Sequence, residues 1–153
     1  AWGSRVAMAF CASHLNRVFS ASLFDLSIGI PDIDAQREGT KTARRKQATQ
    51  GYKPPPLSDG WNKHLNEETV ALSLAATGSI DLAKLARKIR IPVLIATGDH
   101  DPNLESSHEA ASFIPDAKMV ELPNVGHGSL LMQPDLCLKV LLNFMQETVF
   151  NER

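Results

Sequence analysis

The segment "RIPVLIATG" constrains the fold of this 153-residue chain more than any other stretch. Between Pro92 and Gly98 it is a short, unbroken apolar run rich in β-branched side chains. Such a run predicts a central strand of a parallel sheet, because a strand covered on both faces has no side that must be polar. Helical patterns precede and follow it, and this alternation predicts the α/β class.

Two further strands and several helices are predicted from the same kind of pattern. "NRVFSASLFDLS" suggests a buried strand ending near Asp25, and "AKMVELP" a strand from Lys118 to Leu122. Helices are expected in five segments: "WGSRVAMAFCASH", "NEETVALSLAATG", "SIDLAKLARKI", "NLESSHEAASFI" and "QPDLCLKVLLNFMQETVF". The first places Val6, Ala9, Phe10 and Ser13 on one face, and Gly78 ends the second. The last would cover the sheet with Leu136, Val140, Leu141 and Phe144. Three strands with their helices make a partial α/β sandwich.

The middle of the chain predicts little regular structure. From Gly29 to about Gly60 apolar residues become sparse, and Pro31, Gly39, Gly51 and the triplet Pro54-Pro55-Pro56 are expected to interrupt any helix. The basic run "KTARRKQ" is interpreted as a solvated helix face or loop. Tyr52, Trp61 and His64 are candidates either for lining a pocket or for ordinary packing.

Composition excludes several classes of protein. A hydrophobic content of 43% with 22% charged residues is typical of a globular chain, and a net charge of −1 favours neither nucleic acid nor an anionic membrane surface. No apolar run approaches the roughly 18 residues that span a bilayer, and no secretory n-region is present, so a cytoplasmic protein is expected. Cys11 and Cys137 lack the spacing of a zinc site and are interpreted as buried free thiols.

Reactive groups of a parallel sheet gather beyond the carboxyl ends of its strands. "TGDHDPN" places Asp99, His100 and Asp101 after one predicted strand, and "PNVGHGS" places His127 after the next. Each residue alone is compatible with an ordinary surface turn. Occurring together, an acid at one strand end and a histidine at the next favour a carboxylate–imidazole pair.

These loops resemble the C-terminal third of the α/β-hydrolase superfamily, over the segment from Ile91 to Phe144. The acid loop of that superfamily reads G-x-x-D, matched by Gly98-Asp99-His100-Asp101, and its histidine loop reads G-H, matched by Gly126-His127. The resemblance implies that Asp101 is the acid and His127 the base, with Asp99 and His100 as loop residues. It implies no metal and no organic cofactor.

The first residues, "AWGSRVA", are similar to the nucleophile elbow of the same superfamily. The match resembles the branch of epoxide hydrolases and haloalkane or haloacid dehalogenases, whose string is D-W-G-x-R-V-A. Ala1 stands at the nucleophile position. The resemblance implies an oxyanion or halide contact for Trp2, whose alternative is packing beneath a cap, and it makes Asp25 an alternative acid.

The resemblance implies the last three parallel strands of an α/β-hydrolase fold. Residues 1–28 would form the elbow helix and a strand, 29–80 a short cap-like insertion, and 81–153 the C-terminal strands and helices. A remnant of three strands exposes an apolar edge, so the chain is expected to belong to a larger protein or to be completed by another chain.

Three functional hypotheses remain open. The first is a hydrolase acting on a small, mostly apolar ester, epoxide or organohalide, although Ala1 leaves catalysis by this chain uncertain. The second is a non-catalytic relative that binds a small molecule or a partner protein. The third is an unrelated α/β domain, in which Asp101 and His127 would lie far apart.

Overall fold

A parallel sheet forms the centre of the molecule, in a computed structural model that describes residues 1–60, 66–77 and 79–150. Its strands are β1 (Ala21–Phe24), β2 (Val93–Gly98) and β3 (Ala117–Leu122), in the order β1-β2-β3. Strand β2 pairs on both sides, with Leu23 opposite Ile95 and Ile95 opposite Met119. All six residues of β2 are buried, so the prediction of a central parallel strand is confirmed.

Helices cover both faces of this sheet. They are α1 (Trp2–Ser13), α2 (Ile33–Thr49), α3 (Glu67–Thr77), α4 (Leu82–Ala86), α5 (Leu104–Phe113), α6 (Ser129–Met132) and α7 (Pro134–Met145), followed by a π-helical turn (Gln146–Phe150). A short 3-10 turn (Leu15–Arg17) connects α1 to β1. Trp61, His64 and Gly78 lie outside the described residues. No helix in the described part of the chain has the length and apolarity needed to cross a membrane.

Alternating side chains of β2 divide the core into two layers. Val93 and Ile95 pack with residues of α1, α4 and α5, among them Met8, Cys11, Leu82, Ala86 and Ala110. Leu94 and Ala96 face the other way, toward residues of α2, α6 and α7, among them Ala43, Met132, Cys137 and Phe144. The period of two along a strand therefore supplies both apolar surfaces of a three-layer sandwich.

The buried face of α1 differs from the predicted one. Val6 and Phe10 are 54% and 45% exposed, whereas Met8 and Cys11 are buried. The helix contacts β1 and α4, and the side chains on that side become core. Both stripes are apolar enough to be buried, so the position of the sheet selects between them.

The prediction that Gly39 interrupts a helix in the middle segment is wrong, whereas the basic run "KTARRKQ" lies on a helix, one of its two interpretations. Helix α2 runs for 17 residues, and its N-cap Asp32 accepts a hydrogen bond from the Ala35 N–H at 2.9 Å. The segment is rich in alanine, glutamine, lysine and arginine, which favour helices strongly enough to accommodate Gly39. Pro31 lies just before the helix, and Gly51, with φ +76°, follows its end, so these two breaks occur as expected. Pro54-Pro55-Pro56 also lie outside any helix or strand, as expected.

Both cysteines are buried free thiols, as predicted. Burial raises the pKa of Cys137 to about 11. The thiol therefore stays protonated at neutral pH, and it packs as an apolar group beside Phe144.

The two-layer core predicts a sharp difference between two leucines. Leu94 in β2 is fully buried, whereas Leu142 on α7 is 53% exposed. We expect Leu94→Ala to lower the free energy of unfolding by about 2–5 kcal/mol. The same change at Leu142 is expected to cost less than about 1 kcal/mol. Urea denaturation of the two variants measures both values, and equal losses would contradict the assignment of β2 as the centre of the core.

Candidate functional site

Three loops meet at one edge of the sheet, because parallel strands have their carboxyl ends on the same side. Asp25 directly follows β1, Asp101 lies three residues beyond β2, and His127 follows β3 within five residues. One carboxylate oxygen from each aspartate and one ring nitrogen of His127 all lie within 4.8 Å of one another.

Asp101 and His127 form a direct hydrogen bond. The Nδ1 of His127 lies 2.9 Å from the Oδ2 of Asp101, whose side chain is completely buried. The other oxygen of Asp101 accepts the Asn103 N–H at 2.9 Å. An ionised carboxylate in this position makes Nδ1 the protonated nitrogen, which leaves Nε2 as the ring nitrogen available to a bound molecule. The expected arrangement of an unrelated α/β domain, with these side chains far apart, is therefore not found.

Asp25 is held in a different way. Its Oδ2 accepts the backbone N–H groups of Gly128 at 3.1 Å and Ser129 at 2.8 Å, so this carboxylate contacts the backbone after His127. Burial raises the pKa of the Asp25 carboxyl. With φ +53°, Asp25 occupies the left-handed region, which costs a non-glycine residue on the order of 1–2 kcal/mol. Nδ1 of His127 is hydrogen-bonded to Asp101, whereas Asp25 is bonded to backbone amides. The role of Asp25 as an alternative acid stays a prediction.

A cavity of about 130 Å³ opens beside His127. Ala1, Trp2 and Asp25 also line it, so the predicted nucleophile position and the predicted base share one cavity. Ala1 contributes only a methyl side chain there. Trp2 is 47% exposed and begins α1, and its predicted oxyanion or halide contact stays a prediction.

Several lining residues carried no motif that sequence reasoning could use. Arg5 is buried, and its Nη1 donates to the carbonyl oxygens of Ser27 at 2.6 Å and Gly29 at 2.5 Å, which fixes the segment after β1. Gln36 donates to Asn103 at 3.3 Å. The N-cap at Asp32 and the helix-favouring composition of the segment are the local signals from which α2, and with it Gln36, was predictable.

Asp99 and His100 lie in the loop after β2. Asp99 accepts the Val125 N–H at 3.2 Å, which ties the acid loop to the histidine loop. Tyr52 is half-buried and follows α2, and it does not line the cavity beside His127. Trp61 and His64, the other candidate pocket residues, lie outside the described part.

Asp25, Asp101 and His127 form the one group of potential metal ligands in the part of the chain that the structure describes. Both oxygens of Asp101 and one of Asp25 already accept hydrogen bonds. These hydrogen bonds already engage most of the carboxylate oxygens that could bind a metal ion. The expected absence of a metal stays a prediction.

Two glycines let α2 lie against both site loops. A Cβ added at Gly39 would stand 1.9 Å from the carbonyl oxygen of His100, and one added at Gly126 would stand 2.6 Å from the Cα of Thr40. The hydroxyl of Thr40 donates to the carbonyl oxygen of His127 at 3.1 Å. Close approach of the helix therefore fixes the backbone on which His127 is mounted.

No protein-family model matches the chain. The solved structure of the enol-lactonase from Burkholderia xenovorans LB400 matches with a TM-score of 0.68 and 21% identity, over 94% of this chain and 62% of that one. MGS-M2, an alpha/beta hydrolase enzyme from a Medee basin deep-sea metagenome library, matches with a TM-score of 0.60 and 16% identity, over 95% of this chain and 62% of that one. The fold is that of the C-terminal portion of an α/β-hydrolase, as the resemblance implied.

At the sequence level, the chain is similar to the candidate protein-lysine deacylase ABHD14B of Rattus norvegicus. The two are 33% identical over 78 residues, which cover 51% of this chain and 37% of that protein. The chain thus spans less than two thirds of the length of each of these three relatives. None of these three relatives is named as an epoxide hydrolase or dehalogenase, so that finer resemblance stays a prediction.

The glycine contacts predict the effect of one added methyl group. Gly39→Ala is expected to destabilise the protein by about 1–3 kcal/mol, because α2 must retreat from the His100 carbonyl. Gly29→Ala is the matched control, since its Cβ meets no atom within 4 Å; its unfolding free energy is expected to change by about 0.5 kcal/mol or less. Thermal and urea unfolding provide the comparison, and a Gly39→Ala variant as stable as the parent would refute the close approach.

Proposed function

We propose that this chain carries the acid–base pair of a hydrolase that cleaves an ester or lactone bond in a small molecule. The observation that carries the proposal is the 2.9 Å bond between Asp101 and His127 beside a cavity that also contains Ala1. The names of two relatives, an enol-lactonase and a candidate deacylase, favour an acyl compound over an epoxide or organohalide.

His127 acts as the general base in this proposal. Its Nε2 removes a proton from a water molecule while the water oxygen bonds to the acyl carbon. Asp101 stabilises the imidazolium that forms, and the imidazolium returns the proton to the departing alkoxide as the carbon–oxygen bond breaks. The backbone N–H of Trp2, in the first turn of α1, is the proposed donor to the oxyanion, because backbone N–H groups there have no intrahelical acceptor.

Ala1 supports a second candidate function. It offers no atom for the covalent step that a serine or aspartate would perform, so attack must come from water. If water is not activated well enough, the cavity serves to bind an acyl compound without cleaving it. A partner segment that supplies the rest of an α/β-hydrolase fold, a neighbouring strand included, is part of both proposals.

Hydrolysis of 4-nitrophenyl acetate by the intact protein tests the catalytic proposal. We expect His127→Ala to lower the rate at least about tenfold, because general-base catalysis contributes 10²–10⁴-fold in well-formed sites. His108→Ala is the matched control, since that histidine is exposed on α5 and pairs with Glu121. Wild-type protein no faster than His127→Ala would overturn the hydrolase and favour the binding protein.

A serine at position 1 tests whether that position and His127 act in one catalytic site. We expect Ala1→Ser to accelerate ester hydrolysis by about tenfold or more over the wild type, and the gain to vanish when His127→Ala is added. Rates of the single and double variants give the comparison. A gain that survives the loss of His127 would contradict a shared cavity for the two positions.

A further inference from the structure

We propose that Asp25 is a positioning residue for His127, acting through the backbone amides of Gly128 and Ser129. The proposal rests on the proposed function in one respect, namely that His127 is the working base. Asp101 holds the imidazole ring, and Asp25 holds the backbone directly after it. Loss of the Asp101 contact would free the imidazole ring itself, whereas loss of the Asp25 contact would free the backbone directly after it.

The geometry of Asp25 suits it to this task. Two consecutive N–H groups converge on a single oxygen, Oδ2, at 3.1 and 2.8 Å. Hydrogen bonds from amides to a buried carboxylate are stronger than those between neutral groups. Gly128, with φ +85°, makes the turn that presents both N–H groups to the same acceptor.

The backbone of Asp25 is itself anchored to the acid side of the site. Its N–H donates to the carbonyl oxygen of Ala96 in β2 at 3.0 Å. Its carbonyl oxygen accepts the side-chain amide of Asn103 at 3.1 Å, and the N–H of Asn103 donates to Asp101. Asp25 thereby connects the loop of the acid to the loop of the base.

The left-handed backbone of Asp25 is a strained conformation that persists because its surroundings determine it. Strain of this kind is concentrated at functional sites. Here it sits at the residue that bridges two site loops, and no requirement of the β1 strand itself explains it, since β1 ends at Phe24. On the other side of the loop the Thr40 hydroxyl donates to the carbonyl oxygen of His127 at 3.1 Å.

The second carboxylate oxygen of Asp25 provides a way to distinguish a positioning role from the role of the acid. Oδ1 is buried and has no hydrogen-bond partner among the described residues. One acceptor oxygen is enough for the two amides, so an asparagine at this position satisfies them, whereas an alanine does not. A residue that had to supply negative charge to the imidazole would tolerate neither change.

Nitrogen-15 NMR of the intact protein tests the assignment without any need for turnover. We expect Asp25→Ala to speed hydrogen exchange of the Gly128 and Ser129 amides at least tenfold, and to replace the single Nδ1–H tautomer of His127 with a mixture. Asp25→Asn should keep both properties. Asp116→Ala is the control, because Asp116 is exposed and precedes β3 at the opposite edge of the sheet.

Three results would contradict the positioning role of Asp25. Asp25→Ala with unchanged exchange and tautomer would show that the loop does not depend on Asp25. A tautomer lost in Asp25→Asn but retained in Asp101→Asn would make Asp25 the acid instead. If Asp25→Ala does not fold, the wild-type protein still decides, because unprotected Gly128 and Ser129 amides in it would refute the contact. An inert enzyme with the expected NMR result would refute only the proposed hydrolysis.

Discussion

The parallel pairing of β2 with a strand on each side is the constraint on which the rest of the structure depends. Because the three strands run the same way, the loops after them converge at one edge of the sheet. Asp25, Asp101 and His127 come from three separate parts of the sequence and meet only through this arrangement. A change of strand direction would separate them by the length of a strand.

The polar groups at this edge are held by hydrogen bonds that make their burial possible. A buried carboxylate without partners costs several kcal/mol, so each aspartate must find donors within the protein. Asp101 finds the Asn103 amide and the His127 ring, and Asp25 finds the amides of Gly128 and Ser129. The same bonds that stabilise the carboxylates therefore fix the loop that carries the histidine.

Helix α2 contributes in a way that its sequence conceals. It covers one face of the sheet through Ala43, and it approaches the site loops closely enough that Gly39 and Gly126 cannot carry a Cβ without rearrangement. Gln36 and Thr40 then reach the loops of Asp101 and His127. Those contacts join elements far apart in sequence, and no local pattern encodes them. Gly39, interpreted as a helix breaker, is instead the contact that brings the helix close.

The sequence by itself determined the α/β class and the central strand, and it predicted that Asp101 and His127 would meet. These follow from hydrophobic runs and strand-end motifs, which are local patterns that can be recognised without knowing which segments pack together. The tertiary structure alone decided which stripe of α1 is buried, that α2 lies against the site, and that Asp25 bonds to the backbone after His127. Each depends on distances between segments that are remote in the sequence, and such distances are set only when the layers pack together.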